Sequence, residues 1–275
     1  MKRLGIIGFG SIAQSLIDIL RDNISQEYVR VCMLVREESV EEVYQQLKAS
    51  KTGLAKTVLV HSSLDAFIAD APDLVVECAS HSAVKSYVPA LLEADIDVII
   101  ASIGALADAE LYEAITNAAE AGNAQITLPA GAIGGVDVMA AAKLSDIQEV
   151  VYTGRKPPKA WKGTLAEDVI SLDDLTEENV FFEGTAREAA QAYPKNANVA
   201  ATLALAGVGF EKTRVKLIAD PATNKNTHSY SVVSDVVSYS VELMSVASPK
   251  NPKTSMTTVY SLAREVLNKD SNVAI

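Results

Sequence analysis

The chain has 275 residues, of which 49% are hydrophobic and 21% are charged, a balance that is typical of a folded protein with one or two domains and not of a disordered chain. Its formal net charge of -11 argues against a nucleic-acid partner, because binding to phosphates requires a basic face. No apolar run approaches the roughly 20 residues that cross a bilayer, and no leader precedes the first apolar run. We therefore expect a cytoplasmic protein without a membrane partner.

Both cysteines, Cys32 and Cys78, lie inside apolar runs. Free cysteine is among the residue types that are most often buried, so we expect two buried, reduced thiols. We assign no metal site.

In the first half of the chain, short β-branched runs alternate with amphipathic helical patterns. The runs predict strands at 3–7, 29–35, 57–61, 73–78, 97–101 and 125–128, and the patterns predict helices at 11–21, 40–49, 64–69, 83–93 and 108–121. Such alternation, with nearly uninterrupted apolar strands, is typical of a parallel sheet that is covered on both faces. The sequence therefore predicts an α/β fold whose first domain is a doubly wound, parallel-sheet dinucleotide-binding (Rossmann) domain.

After about residue 131 the pattern changes. A helix at 136–144 and a strand at 149–154 precede an acidic stretch, two alanine-rich helices at 185–193 and 199–207, and period-2 patterns at 213–219 and 228–246 that predict antiparallel strands. A last helix is expected at 254–268, with Thr254 as its cap. We divide the chain into a dinucleotide-binding domain at 1–133 and a smaller α+β substrate domain at 134–249, and we expect residues 250–275 to pack back on the first domain.

The first predicted strand runs directly into the sequence GFGSIA at 8–13. In this context Gly8 permits a tight turn, Gly10 allows the backbone to approach a pyrophosphate, and Ala13 lets helix and strand pack closely. The helix that begins at Ser11 and Ile12 offers unpaired N–H groups and the positive end of its dipole to the phosphates. A glycine turn without a ligand is the alternative, and the strand, spacing and helix together argue against it.

The residues after the second strand do not decide between NAD and NADP. Arg36 suits a 2′-phosphate, whereas its neighbour Glu37 suits a free ribose hydroxyl. An ordinary solvated arginine is the third possibility.

Two further loops follow the fourth and fifth strands, at the edge where open α/β sheets bind ligands. Ala79 and Ser80 lie in the first loop and Ser102 in the second. Their small side chains leave room for a ribose and a nicotinamide ring, so we assign all three to the cofactor site.

Several motifs of the second half closely resemble the L-aspartate dehydrogenase family. They are PAGAIGG at 129–135, YTGRKPP at 152–158, FEGTA at 182–186, YPKNAN at 193–198, ADP at 219–221, His228 and NPKTS at 251–255. The resemblance covers essentially the whole chain, in the expected order.

The resemblance implies reversible oxidative deamination of L-aspartate through iminosuccinate to oxaloacetate and ammonia, with NAD or NADP, and an imine that can feed NAD biosynthesis. It also implies cofactor contacts for Ala132 and Asn198 and a catalytic role for His228. The chemistry is compatible with such a histidine, because a group that titrates near neutrality can serve both the amine and the attacking water.

A dicarboxylate substrate also requires cations. Arg155, Lys156 and Lys159 cluster in a proline-rich segment, and Lys195 lies between Pro194 and two asparagines. We single out Arg155, which suits bidentate binding, and Lys195 as substrate-binding residues. We also expect a homodimer, formed through the sheet that the pattern at 229–246 predicts.

Two other functions remain open. One is a related two-domain NAD(P) dehydrogenase that acts on another small substrate such as homoserine. The other is a non-catalytic NAD(P)H sensor, which would need the first domain only.

Overall fold

The computed structural model describes residues 2–50, 53–194, 197–245, 247–248 and 251–274 of the chain. They form two compact units, one comprising Met1–Pro129 with Val259–Ile275 and the other Ala130–Thr258. None of the described helices is long and apolar enough to cross a membrane.

The first unit is built on a six-stranded sheet in which every neighbouring pair is parallel. Its strands are β1 (Arg3–Ile7), β2 (Tyr28–Leu34), β3 (Ala55–His61), β4 (Leu74–Glu77), β5 (Asp97–Ile100) and β6 (Ile126–Thr127), in the order β3-β2-β1-β4-β5-β6. The connecting helices are α1 (Ser11–Asn23), α2 (Val40–Ser50), α3 (Leu64–Ala69), α4 (His81–Glu93) and α5 (Ala109–Gly122). The order reverses between β1 and β4, so the predicted doubly wound Rossmann architecture is confirmed.

The last helix, α10 (Met256–Asn268), contributes to the core of the first unit. Val259, Leu262, Ala263 and Val266 are buried in the same cluster as the strands β1 and β2. Their i, i+3, i+4, i+7 spacing places them on one helix face, which explains why this segment belongs to the first unit although it follows the second in sequence.

The second unit holds a five-stranded mixed sheet in the order β11-β10-β7-β9-β8. Its strands are β7 (Ile147–Lys156), β8 (Asn179–Thr185), β9 (Arg214–Ala219), β10 (Asn226–Ser234) and β11 (Ser238–Ser245), and its helices are α6 (Val136–Ala142), α7 (Ala166–Val169), α8 (Ala186–Ala192) and α9 (Ala197–Ala206). A short hairpin of β12 (Ala247–Ser248) and β13 (Asn251–Ser255) leads toward α10. The expected smaller α+β domain is therefore present.

The structure of this unit differs from the sequence-based expectations in three places. Strand β8 was not predicted, because a register shift between Val180 and Phe182 interrupts its alternation of buried and exposed residues. Strand β9 is antiparallel to β8 but parallel to β7, which a period-2 pattern alone cannot distinguish. Thr254 belongs to β13, and the last helix begins only at Met256; the Ser255 hydroxyl accepts the Thr257 N–H at 3.2 Å.

Candidate active site

The glycine turn joins β1 to α1 at the carboxyl end of the first strand. Gly8 has a φ of +89°, and an added Cβ would lie only 2.9 Å from the Ala79 side chain, so both conformation and packing require glycine. Gly10 precedes α1, and among the described residues no atom lies within 4 Å of where its Cβ would be. The first turn, with Ser11 and Ile12, contains no acidic residue. Open space in front of an uncapped helix N-terminus fits a pyrophosphate.

Arg36 and Glu37 lie at the end of β2, where the adenosine ribose is expected. The Arg36 guanidinium is 82% exposed and lies 3.3 Å from Glu38. Glu37 accepts a hydrogen bond from the Ser62 hydroxyl. Both groups remain accessible at this end of the strand, so the geometry favours neither NAD nor NADP.

A buried carboxylate connects the loops that follow β4 and β5. Glu77 is 0% exposed and accepts the backbone N–H groups of Ala79, Ser80 and Ser102 at 2.7, 2.9 and 2.9 Å. Glu77 is not among the residues predicted from the sequence, although a lone acid at the end of an otherwise apolar strand is a visible signal of a special role. Ala79 and Ser80 are exposed and Ser102 is half-buried.

The core of the second unit contains a tyrosine–histidine pair. His228 is 7% exposed, and its Nδ1 atom lies 2.8 Å from the Tyr152 hydroxyl. His228 on β10 is directly opposite Gly154 on β7. A Cβ on Gly154 would lie 2.8 Å from the Tyr152 hydroxyl oxygen, so the glycine provides the space in which the pair forms.

Burial governs the charges around this pair. It lowers the pKa of His228 to about 4, and the charge of Lys156 adds to that decrease. Burial also raises the pKa of the Tyr152 hydroxyl above its ordinary value and lowers the pKa of Lys156 to about 8. At neutral pH the imidazole and phenol are uncharged, whereas most Lys156 side chains carry a proton.

Lys156 lies on the same side of the sheet as the pair. Tyr152, Gly154 and Lys156 alternate along β7 and therefore share one face. The Lys156 ammonium lies 5.0 Å from the ring centre of Trp161, which is fully buried and donates from its indole N–H to the Ile218 carbonyl at 3.1 Å. The ring thus provides a rigid cation–π support for the ammonium.

Arg155 points to the opposite face of β7 and is paired with two acidic residues. Its guanidinium contacts the Glu178 carboxylate and lies 2.8 Å from that of Asp220. These hydrogen bonds raise the pKa of Arg155, and the bond from Arg155 lowers the pKa of Asp220. A substrate carboxylate would have to compete with both acids for this side chain.

Two tyrosines of the same sheet hold the glycine-rich segment that precedes α6. The Tyr230 hydroxyl donates to the Gly134 carbonyl at 2.5 Å, and the Tyr239 hydroxyl donates to the Gly135 carbonyl at 3.0 Å. Ala132, in the same segment, is 7% exposed. The segment is therefore anchored to β10 and β11.

Comparisons with known proteins place the chain in a family. A family model described as aspartate dehydrogenase, C-terminal, matches residues 137–269, and one described as homoserine dehydrogenase, NAD binding domain, matches residues 8–129. An L-aspartate dehydrogenase of a Polaromonas strain is 40% identical over 275 residues, which is 100% of both chains.

The chain belongs to the L-aspartate dehydrogenase family.

Other members of the family agree with this assignment. The L-aspartate dehydrogenase of Pseudomonas aeruginosa is 39% identical, with 100% of both chains covered. The crystal structure of the Thermotoga maritima aspartate dehydrogenase superposes with a TM-score of 0.75 at 28% identity, covering 100% of this chain and 99% of the other. A hyperthermophilic archaeal homoserine dehydrogenase with bound NADPH has a TM-score of 0.59 at 12% identity, which shows a shared fold only.

Asn198 is an assigned residue of this aspartate dehydrogenase family member that lies in the second unit. Asn198 is exposed near the start of α9, and its carbonyl accepts the Thr202 hydroxyl at 2.9 Å. Lys195 lies outside the described residues, so its assignment stays a prediction.

The two cysteines are free and buried, which confirms the expectation for Cys32 and Cys78.

Proposed function

We propose that this protein catalyses the NAD(P)-dependent oxidative deamination of L-aspartate through iminosuccinate to oxaloacetate and ammonia. The observation that carries the proposal is the buried Tyr152–His228 pair in a chain of the aspartate dehydrogenase family. A proton-handling group inside a sheet core is costly to bury, and a role in catalysis accounts for it. A sensor that only bound NAD(P)H would have no use for such a pair.

In this proposal His228 accepts protons both when the imine forms and when it is hydrolysed. A bound nicotinamide would supply the acceptor for the hydride of Cα, and the substrate amine must lose a proton as the carbon–nitrogen double bond forms. We assign His228 the tautomer in which Nδ1 donates to the Tyr152 oxygen. The neutral imidazole then has a free electron pair on Nε2 and can accept that proton. Once that proton has passed to solvent, the same nitrogen can accept a proton from the water that adds to the imine. Returning this proton to the amino group of the resulting carbinolamine allows ammonia to leave.

For the substrate carboxylates we propose a third candidate cation beside Arg155 and Lys195. Lys156 shares a face of β7 with Tyr152, whereas Arg155 faces the other way and pairs with two acids. An ammonium supported by the buried Trp161 ring suits one carboxylate of aspartate, because its low solvation strengthens the ion pair.

We assign the cofactor to the carboxyl edge of the first sheet. The residues involved are Gly8, Gly10, Ser11 and Ile12 at the pyrophosphate, Arg36 at the adenosine ribose, and Ala79, Ser80 and Ser102 toward the nicotinamide. The family resemblance implies further cofactor contacts for Ala132 and Asn198. Ser11 and Ile12 supply N–H groups at the start of α1, and the family model over 8–129 supports a nicotinamide dinucleotide.

We further propose a cytoplasmic homodimer whose imine product feeds NAD biosynthesis. Two free, buried cysteines are compatible with a reducing compartment. Strand β11 is one of the two edge strands of the second sheet, and an open edge favours association with a second copy.

A substrate panel tests the activity. Aspartate, glutamate, alanine and homoserine are each offered with NAD and with NADP, and absorbance at 340 nm is followed; oxaloacetate with ammonia and reduced cofactor tests the reverse direction. We expect turnover with aspartate and oxaloacetate. Turnover with homoserine alone would assign a related dehydrogenase, and cofactor binding without any turnover would assign a sensor.

A further inference from the structure

Glu77 is an acidic side chain that touches both loops, after β4 and after β5. Its Oε1 atom accepts the N–H groups of Ala79 and Ser80 and the Ser102 hydroxyl, the last at 3.0 Å. Its Oε2 atom accepts the Ser102 N–H at 2.9 Å. One carboxylate therefore sets the distance between two loops that are far apart in sequence.

The same carboxylate reaches the glycine turn indirectly. Glu77 is in register with Ile7, the last residue of β1, on one side and with Ile100 of β5 on the other. Ala79, which it holds, occupies the space where a Cβ of Gly8 would lie. The loops after β1, β4 and β5 are thus connected through one buried side chain at the centre of the sheet edge.

This arrangement has an energetic cost that stability alone would not require. Burial raises the pKa of the Glu77 carboxyl above its usual value, while the hydrogen bonds from Ser102, Ala79 and Ser80 oppose that rise. An apolar residue would fill the core without desolvating a carboxylate. What the carboxylate provides is a fixed position for the amides of Ala79, Ser80 and Ser102 and for the Ser102 hydroxyl.

We infer that Glu77 is a positioning residue that fixes the loops of Ala79–Ser80 and Ser102 for the ribose and nicotinamide half of the dinucleotide. The inference rests on the proposed location of the cofactor at this sheet edge, and it is independent of aspartate turnover and of His228. It extends the site to a residue that does not itself touch the cofactor.

The variant Glu77→Gln should weaken the contact to the loop after β5 and keep the contacts to the loop after β4. Its amide oxygen can replace Oε1 and keep Ala79 and Ser80, but its NH₂ group then faces the Ser102 N–H, which loses its acceptor. Asp73→Asn is the matched control, because Asp73 accepts the Lys2 and Arg3 N–H groups at 2.7 and 2.9 Å at the other end of the same strand. Both variants weaken hydrogen bonds to backbone, and only the first changes the cofactor edge.

The experiment titrates each full-length variant with NADH and with ADP, which carries adenosine and the pyrophosphate but lacks the second ribose and the nicotinamide. We expect Glu77→Gln to weaken NADH binding by about tenfold or more while ADP binding stays within about twofold. Asp73→Asn should leave both affinities unchanged. Equal losses for NADH and ADP, or no loss for either, would overturn the inference.

A second variant, Glu77→Asp, keeps the inference testable if Glu77→Gln does not fold. Glu77→Asp keeps a carboxylate in the core but is one methylene shorter, so it cannot reach both loops, and the same two titrations apply. If neither variant folds, Glu77 serves the stability of the sheet alone and the inference is overturned. Whether the protein turns over aspartate does not enter any of these outcomes.

Discussion

The environment of His228 makes its charge a determinant of stability. An unfolded histidine has a pKa of 6.5, whereas burial lowers the pKa of His228 to about 4. The folded state therefore binds a proton less readily, so stability is full above about pH 6.5 and decreases as the pH falls toward 4. Two and a half pKa units correspond to roughly 3 kcal/mol.

This prediction is tested by denaturant unfolding at pH 7 and pH 4.5. The free energy of unfolding should decrease more for the wild type than for His228→Asn, which has no group that titrates there. Parallel decreases in the two proteins would show that His228 does not contribute to the acid sensitivity.

The two neighbouring cations of β7 should differ in function. Lys156→Met removes the ammonium on the His228 face, so KM for aspartate should rise by about tenfold or more, as expected for the loss of a charge-assisted hydrogen bond. Arg155→Met leaves Glu178 and Asp220 without their shared cation, so the melting temperature should fall while KM changes less. Steady-state kinetics with thermal melts of both variants separates the two effects. A rise in KM for Arg155→Met alone would return the substrate contact to Arg155.

The turn between β1 and α1 makes a prediction for the cofactor. Gly10 has an ordinary backbone conformation with φ -75°, and no described atom would contact its Cβ, so Gly10→Val should fold normally. The added methyl groups would occupy the space in which the pyrophosphate approaches the helix. Calorimetric titration should show NADH affinity reduced by about tenfold or more at an unchanged melting temperature. Wild-type affinity would mean that the pyrophosphate binds elsewhere.

The elements that sequence alone predicted are those whose pattern is local. Most strands of the first unit are nearly uninterrupted apolar runs, and the glycine turn needs only its neighbours to be recognised. Strand β8 was not predicted because a bulge interrupts its alternation of apolar and polar residues. The partners of a buried polar group are also invisible in sequence: Glu77 and Ser102 meet only after β4 and β5 pair.

In the second unit, His228 could be predicted from the sequence, but the residues that determine its hydrogen bonding and its pKa could not. Tyr152 is 76 positions away in sequence, and only the pairing of β7 with β10 brings its hydroxyl to Nδ1. The lowered pKa follows from burial, which depends on the whole sheet and its covering helices. For the same reason, the pairing of Arg155 with Glu178 and Asp220 could not be anticipated.

Assembly of the whole molecule can be tested by its mass in solution. The outward residues of β11 are Ser238, Ser240, Glu242 and Met244, so the open strand edge, more than an apolar face, supports a dimer. Light scattering at micromolar concentration should give twice the mass of one chain. The mass of a single chain would contradict the dimer without affecting the catalytic proposal.

We propose that the first unit binds most of the dinucleotide and that His228 of the second unit performs the proton transfer. The most direct test is His228→Ala, with kcat for aspartate, NADH affinity and melting temperature measured on the same preparation. We predict that kcat falls by about 10²- to 10⁴-fold, the usual contribution of a positioned acid–base group, while NADH affinity stays close to that of the wild type. A variant that is less stable but turns over aspartate at nearly the original rate per folded molecule would contradict the account.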